Sequence, residues 1–400
     1  MVTEGGYLWA RSYLTLAADW YARCGNEERA ADMTLALALS WETETDQRIE
    51  ADERSGHLVA GNFLESAIQT LRKIPNDQRE ARGVDAHIAR LLKRLAESGK
   101  SAVKGMTRFS TGSIDISDLV ADSEQRVSGK KALEALLTFA HLAPSVKVEK
   151  LADDARRLMK EHPLSSLFAS THYGPDGRVV AKTPSGDFSG ESGEFSAQLA
   201  AKMLRHFMLH TEVTCSGQIY PALLVIRQEH HLTRADLEQL LAQSPIIPPG
   251  RVEQFARGLW AGFEHDFATA IYLLAPQIEH LVRWHLKQAG AKTTTLDADG
   301  IENEIGLSSL VDSPSIDQVF GEDLLFELRA LFCNPLGPNF RNQVAHGLLS
   351  QGECSSSPAI FAWWWILSLV LRSWLNELQQ QLAPPAQADS ADSAERQDDK

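Results

Sequence analysis

Apolar side chains recur at every third or fourth position along most of this chain, which is the spacing of an amphipathic α-helix. The first such run is built from large residues: Trp9, Tyr13, Leu16, Trp20 and Tyr21. The breaker pair Gly25-Asn26 ends this run, and a second helical run spans residues 27–41. The pattern stays helical, with few strand signals, to about His162. We therefore predict an all-α fold.

The N-terminal helices form two pairs of similar build. The pair around Tyr21, Gly25 and Ala30 weakly resembles a tetratricopeptide unit, and residues 57–74 with 77–97 resemble another. A helical solenoid needs at least about three repeats to bury its faces. The pattern therefore leaves two interpretations open, a tetratricopeptide-like domain and an ordinary irregular helical domain.

The segment 171–193 interrupts the helical pattern. Residues 172–180 combine turn residues with a short β-branched run, which indicates a small hairpin, and residues 185–193 contain few apolar side chains. We place the domain boundary here. The predicted layout is an N-terminal helical domain at 1–170, a linker or hairpin at 171–194, connecting helices at 195–248, a helical bundle at 249–380 and a disordered acidic tail at 381–400.

Three features of the C-terminal sequence predict how that bundle is built. A long apolar helix is expected at 258–274, with Pro276 ending or kinking it before a second helix to residue 288. Residues 292–315 are polar and form an excursion that is expected to cover a site or bind a partner. The last helix, from about Pro358, is apolar on almost every side. Such a helix should be buried in the bundle or in a dimer interface, and Arg372 argues against a membrane span.

Charge and cysteine content narrow the classes of function. The chain has 400 residues, a formal net charge of -14 and 44% hydrophobic residues, which suits two or three domains with sizeable cores. That acidity excludes a general nucleic-acid coat protein. The 4 cysteines form no Cys-x-x-Cys pair, and the first residues lack the pattern of a signal peptide. We therefore expect a reducing, cytoplasmic setting, with no disulfide framework, zinc site or membrane association.

Residues that carry chemistry concentrate in one short stretch. After the breaker-rich loop 333–339, Arg341, Asn342 and His346 should lie on about one and a half helical turns capped by Asn339. The four-residue spacing places Asn342 beside His346, where its amide would orient the imidazole. Arginine stays charged, and its planar guanidinium can donate two hydrogen bonds to one phosphate. Histidine can gain or lose a proton near neutral pH. These groups suffice for RNA cleavage without a metal, although a purely structural Arg and His are the commoner cause of such spacing.

The motif and its surroundings resemble the HEPN superfamily. HEPN ribonucleases carry an arginine, a polar residue and then a histidine, as in Arg341-Asn342-x-x-x-His346. The Pro-Gly loop before the motif is similar to that of a bacterial family named only as a domain of unknown function, and the resemblance spans roughly residues 249–378. It implies a helical bundle, homodimers that bring two motifs together, and metal-independent endoribonuclease activity with no cofactor. Many such proteins are toxins or phage-defence effectors.

The resemblance also assigns expected roles. Arg341 would stabilise the phosphorane, His346 would act as general acid or base, and Asn342 would orient the histidine or contact the phosphate. RNA and a second copy of the chain are the expected partners, with an antitoxin or sensor partner at the N-terminal domain. Two other interpretations remain open, a silent HEPN module that binds RNA or a nucleotide, and a helical protein-interaction scaffold.

Three residues of the preceding helices are candidates for supporting the motif. Glu279 and Arg283 stand four apart, and Asp266 is expected in mid-helix. The pair can be an ordinary surface ion pair of little energy. Because these segments should pack against the motif helix, Glu279 or Asp266 can instead hold Arg341 or His346 in position.

Two other clusters of polar residues are weaker candidates for a functional site. Several histidines and a glutamate suggest metal ligands: His206, His210, Glu229, His230 and His231. No glutamate follows the first histidine as in the zinc-protease signature, so we expect no metal site. A basic cluster, Lys100, Lys104 and Arg108, falls in a predicted loop at 99–118 and is either solvated surface or an electrostatic guide for RNA.

Overall fold

The computed structural model describes residues 6–107, 112–164, 168–185 and 197–382. Helices dominate this part of the chain, and its strands are confined to two antiparallel sheets of two strands each. The all-α prediction is confirmed. The chain divides into two compact units, one of Met1–Ser113 with Leu167–Gly186 and one of Ile114–Ser166 with Asp187–Lys400. Elements are numbered below in chain order.

Long helices build the described part of the first unit. They are α1 (Tyr7–Arg23), α2 (Glu27–Ala51), α3 (Glu53–Arg72) and α5 (Val84–Gly105), with the short α4 (Asn76–Arg79) between the last two. Each long helix packs against the next long helix along the chain. The shared core is made of small and aliphatic residues of these helices and their connections: Ala31, Ala38, Leu64, Ala67, Ile68, Leu71, Ile74, Val84 and Leu91. The tetratricopeptide interpretation stays a prediction.

A β-hairpin packs against α5 through two glycines. β1 (Ser170–Tyr173) pairs with β2 (Val179–Thr183), which confirms the hairpin predicted at 172–180. A Cβ at Gly99 would lie 2.0 Å from the Gly177 carbonyl oxygen, so the backbones approach more closely than any side chain allows. The predicted loop at 99–118 is therefore wrong at its start, because Gly99 serves this contact and α5 continues to Gly105. Lys100 and Lys104 lie on α5, and Arg108 is outside the described residues.

The second unit contains the remaining elements. Its N-terminal part has α6 (Ser117–Val127), α7 (Ala132–Ala140) and α8 (Val148–Glu161). Its middle part has α9 (Ala197–Thr214), a π-helical turn (Cys215–Ile219), α10 (Tyr220–Glu229), α11 (Arg234–Leu241), α12 (Val252–Phe263) and α13 (Phe267–Gln288). Its C-terminal part has β3 (Thr294–Leu296), β4 (Glu302–Glu304), α14 (Leu307–Leu310), α15 (Ile316–Phe320), α16 (Glu322–Phe332), α17 (Phe340–Ala345), α18 (Gln351–Cys354) and α19 (Ser357–Leu382).

The final helix, α19, lies at the centre of the second unit. Three consecutive indoles tie it to different helices: Trp363 donates to a carbonyl of α12 at 2.9 Å, Trp364 to one of α7 at 2.9 Å, and Trp365 to the Glu327 carboxylate of α16 at 2.8 Å. By length and composition α19 could cross a membrane, but 67% of its apolar window is buried inside the protein. Its predicted burial in the bundle centre is confirmed. The predicted tail falls mostly on 383–400, outside the described residues.

The division between the units differs from the predicted boundary at residue 170. Residues 114–164 belong with the C-terminal helices, to which long-range hydrogen bonds join them. Arg372 of α19 donates to the Ala140 carbonyl at the end of α7 at 2.9 Å, and Glu327 accepts from the Val146 amide at 2.9 Å. These bonds join positions far apart in sequence, and local periodicity gives no sign of them.

The prediction that Pro276 ends a helix is wrong, because α13 runs through it. The break lies earlier, where His265 adopts a φ of 61°. The His265 amide donates to the Gly262 carbonyl at 3.0 Å and the Asp266 amide to the Ala261 carbonyl at 2.8 Å, which closes α12 in a Schellman motif. The Asp266 side chain then caps α13. The burial of α13 residues on both sides of Pro276 offsets the lost backbone bond, which would cost ~3 kcal/mol in an isolated helix.

We expect Gly262→Ala to destabilise the protein by about 1–3 kcal/mol through overpacking. A Cβ at Gly262 would lie 2.1 Å from Trp363 Nε1, whose indole is fully buried and hydrogen-bonded. Urea unfolding followed by circular dichroism measures the effect. Gly352→Ala is the matched control, since no other group lies within 4 Å of the position that its added methyl would occupy. Equal stability of the two variants would show that α12 and α19 are not packed this closely.

Candidate functional site

The motif residues lie on and just after the short helix α17. Phe340, at its first position, is 1% exposed and anchors the helix in the core. Asn339 precedes it with a φ of 49°, and its side chain makes no capping hydrogen bond, so the predicted role of Asn339 as a side-chain cap is wrong. His346 follows the helix, and its amide donates to the Asn342 carbonyl at 3.1 Å. Left-handed backbone at a non-glycine residue such as Asn339 is uncommon and is often found at functional sites.

Arg341 is anchored through one nitrogen of its guanidinium. Its Nε donates to Glu279 Oε2 at 2.7 Å, and 30% of its side chain is exposed. Gly306 packs against the same group, since a Cβ there would lie 2.8 Å from Arg341 Nη2. Within the described residues, the two terminal nitrogens of Arg341 donate no hydrogen bond. The guanidinium is therefore oriented while retaining donors for a ligand.

Glu279 connects Arg341 to Arg283 in one ionic network. Arg283 Nη2 donates to Glu279 Oε1 at 2.7 Å and to the Ile305 carbonyl at 2.6 Å, and its Nε forms an ion pair with Glu304 at 2.9 Å. The side chains of Glu279 and Arg283 are only 17% and 13% exposed. This pair is thus mostly buried, unlike the surface ion pair that is the usual outcome of four-residue spacing. The sequence suggested that Glu279 or Asp266 holds Arg341 or His346, and the structure shows the contact between Glu279 and Arg341.

The electrostatics of the network keep Glu279 ionised. Burial raises the pKa of the Glu279 carboxyl, but hydrogen bonds from Arg341 and Arg283, together with their positive charges, outweigh it and leave the pKa lowered. A carboxylate in this state can hold a guanidinium at neutral pH. Near Arg341, burial raises the pKa of the Cys333 thiol to about 11, so this thiol is protonated and unreactive.

We expect Glu279→Gln to lower the free energy of unfolding by about 1–3 kcal/mol at pH 7, because hydrogen bonds to charged groups are lost. The folded-state pKa of Glu279 lies below its ordinary value of 4.5. Its stabilising contribution is therefore complete above that value and is lost as the pH falls through the folded-state pKa. Urea unfolding at pH 7 and pH 4 should show a smaller difference between wild type and variant at the lower pH.

Glu253→Gln is the matched control for this experiment, because Glu253 forms the same i,i+4 pair with Arg257 but is 57% exposed. Its effect should be small at both pH values. An equal effect of the two substitutions would contradict a special role for the Glu279 network.

His346 is exposed at the end of the motif. Within the described residues, no hydrogen bond joins the Asn342 amide to the His346 imidazole, so the structure does not show the predicted orienting contact. The backbone instead links the two residues, through the bond from the His346 amide to the Asn342 carbonyl. An exposed imidazole can meet a substrate from solvent.

Within the described residues, Asp266 makes no hydrogen bond to Arg341, Asn342 or His346. It is the N-cap of α13, where its Oδ1 accepts from the Thr269 amide at 3.0 Å. Hydrogen bonds from Thr269 lower the pKa of Asp266. Its role is that of a helix cap, and the prediction that it lies in mid-helix is wrong.

Two contributors to the site could not be selected from sequence patterns. Gly306 packs against Arg341, and Glu304 pairs with Arg283 at the end of the β3–β4 hairpin. Both lie in the polar excursion 292–315, which is the segment expected to cover a site or bind a partner. The only signal is the polarity of that segment, because a single glycine or glutamate in a loop carries no specific pattern.

The histidines considered as metal ligands do not assemble. In the part of the chain that the structure describes, no three His, Cys, Asp or Glu side chains are grouped as a metal ion would require. His210 packs its ring against Phe361 of α19, and burial lowers the pKa of its imidazole. Glu229 instead binds Ser128 and the Gly129 amide.

The chain matches no protein-family model, no curated protein and no solved structure. The relationship to HEPN proteins therefore stays a prediction from the motif and its loop.

Proposed function

We propose that the second unit is a metal-independent endoribonuclease of the HEPN type. The observation that carries the proposal is the state of Arg341, which a largely buried carboxylate holds at 2.7 Å while its two terminal nitrogens stay without a protein partner in the described residues. A positioned guanidinium with open donors suits an oxyanion that develops charge during a reaction. The exposed His346 on the same short segment supplies proton transfer.

The proposed reaction uses the 2′-hydroxyl of RNA as the nucleophile. His346 takes the proton from this hydroxyl, the 2′-oxygen attacks the adjacent phosphorus, and the bond from phosphorus to the 5′-oxygen breaks. The leaving oxygen takes up a proton, for which the motif of a second copy in a homodimer is the proposed source. The products are a 2′,3′-cyclic phosphate and a 5′-hydroxyl. Arg341 stabilises the charge on the phosphorane, and Asn342 contacts the phosphate.

Glu279 acts in this scheme as a positioning residue. It accepts a hydrogen bond from Nε of Arg341 and thereby limits the orientations open to the guanidinium. Arg283 in turn fixes the second oxygen of Glu279. Such a supporting carboxylate orders the arginine side chain before the substrate binds. Less conformational entropy is then lost when the arginine binds the phosphate.

The overall charge sets the expected mode of RNA binding. With a formal net charge of -14, the chain has no broad attraction for a phosphate backbone. Binding should therefore be weak and should weaken further as salt rises, because only a few local cations contact the RNA. A toxin or phage-defence effector in the cytoplasm, restrained by an antitoxin or triggered by a sensor at the first unit, is the biological setting that we propose.

A comparison of matched RNA and DNA strands tests the proposal. We expect the protein to cut single-stranded RNA and to leave untouched the same sequence as DNA or as 2′-O-methyl RNA, because both lack the nucleophile. Cutting of DNA at a similar rate would overturn the proposed reaction. RNA that is bound but never cut would instead identify a silent binding module.

A further inference from the structure

The helix α1 presents a stripe of large apolar side chains to solvent. Trp9, Tyr13, Leu16 and Trp20 follow each other at steps of four, three and four residues and are 68%, 59%, 53% and 57% exposed. At helical spacing these positions fall on one face. The stripe therefore forms one continuous apolar surface, which soluble proteins rarely leave uncovered.

The opposite side of α1 fixes the stripe in its outward position. Tyr7 and Ala10 are buried there. Arg11 also points inward, where it pairs with Glu44 at 2.7 Å and lies over the Trp41 ring at 3.3 Å from the ring centroid. Rotating α1 to bury the stripe would expose these residues and break a mostly buried ion pair, which is strongly destabilising.

We propose that the stripe is the interface with a second copy of this chain, with the two α1 helices packed antiparallel about a two-fold axis. A two-fold interface must be complementary to itself. The order Trp9, Tyr13, Leu16, Trp20 meets this condition, because reversing it places Trp9 against Trp20 and Tyr13 against Leu16. Both ends of the contact then pair indoles, and the middle pairs an aromatic ring with an aliphatic side chain.

The exposed area is close to what a stable dimer needs. The four stripe residues offer an accessible area of roughly 500 Å² per copy, given their exposed fractions and an area of about 150–250 Å² for a whole aromatic side chain. Two copies would bury roughly 1,000 Å², which is about the least that a specific interface needs. Tryptophan and tyrosine are also the residues that most often dominate binding energy at such interfaces.

The charge of the chain disfavours a lipid surface as the occupant. Helices that lie on membranes carry many lysines and arginines on the polar face. On α1 the exposed charged side chains are Asp19 and Arg23, which cancel, and the formal net charge of the whole chain is -14. Nothing in α1 therefore attracts the helix to an anionic bilayer.

Light scattering of the full-length protein after size exclusion, over about a hundredfold range of concentration, tests the proposal. We expect a dimer for wild type and a monomer for Trp9→Glu/Trp20→Glu, with circular dichroism showing that the helices are kept. Leu296→Glu/Ile301→Glu is the matched control, since these side chains are 61% and 59% exposed on the β3–β4 hairpin. A monomeric wild type, or a dimer that survives the Trp9→Glu/Trp20→Glu change, would overturn the proposal.

A charge swap tests the antiparallel register. Trp9→Glu/Trp20→Lys places opposite charges against each other in both halves of the proposed interface, so it should dimerise at least about tenfold more tightly than the double-glutamate variant. Equal affinities would rule out this pairing. RNA cleavage is assayed on the same samples, and loss of the dimer with no cleavage by any variant would count against the proposed ribonuclease without affecting this interface.

Discussion

Replacing His346 with alanine is expected to lower the rate of RNA cleavage by about 10²–10⁴-fold, the usual contribution of a positioned acid or base. The side chain is exposed, so the substitution should leave the stability of the protein almost unchanged. Single-turnover cleavage of a labelled RNA strand measures the effect. Because solvent reaches the site, added imidazole should restore part of the lost rate.

The matched control is His231→Ala, since His231 is also exposed in the second unit but lies outside the motif. Its cleavage rate should equal that of wild type. Wild-type activity in His346→Ala would remove this histidine from the mechanism, whatever the control shows.

Arg341→Ala is expected to lower the cleavage rate by about 10²–10³-fold, as for the loss of one donor to a developing oxyanion. It should also reduce stability, because Glu279 is mostly buried and loses the hydrogen bond that it accepts at 2.7 Å. Arg341→Lys should restore little of the rate, since an ammonium group cannot bond Glu279 and present two further donors in a plane. Cleavage rates and urea unfolding are measured on the same samples.

The stability readout separates two roles for Arg341. Glu279→Gln weakens the same hydrogen bond but keeps the guanidinium, so it should lower cleavage less than Arg341→Ala does. Arg257→Ala, at an exposed ion pair, is the control and should change neither quantity. Reduced stability with full cleavage activity in Arg341→Ala would make this arginine purely structural.

Local sequence patterns predict the helices well where local forces decide them. The apolar spacing in the N-terminal helices and the all-round apolar character of α19 correspond directly to helices in the structure. Errors arise where tertiary contacts override a local signal. Gly99 continues a helix because its missing side chain admits the Gly177 backbone, and α13 passes through Pro276 because the surrounding residues are buried.

The same distinction applies to the candidate site. The sequence identifies the motif residues because they lie close together along the chain: Arg341, Asn342 and His346. It identifies Glu279 because the four-residue spacing to Arg283 places the two residues on one helix face. Gly306 could not be found, because its importance comes only from packing against Arg341 across the fold. For the α1 stripe, the helical spacing does identify an apolar face. The spacing does not show whether that face packs against the same chain or against another one.

The most direct test of the proposed function is to incubate purified protein with RNA in excess EDTA and to determine the chemical groups at the new ends, with His346→Ala beside wild type. We predict that wild type alone generates 2′,3′-cyclic phosphate or 3′-phosphate ends together with 5′-hydroxyl ends. Cleavage that stops in EDTA, or that leaves 5′-phosphate and 3′-hydroxyl ends, would contradict a metal-independent attack by the 2′-hydroxyl.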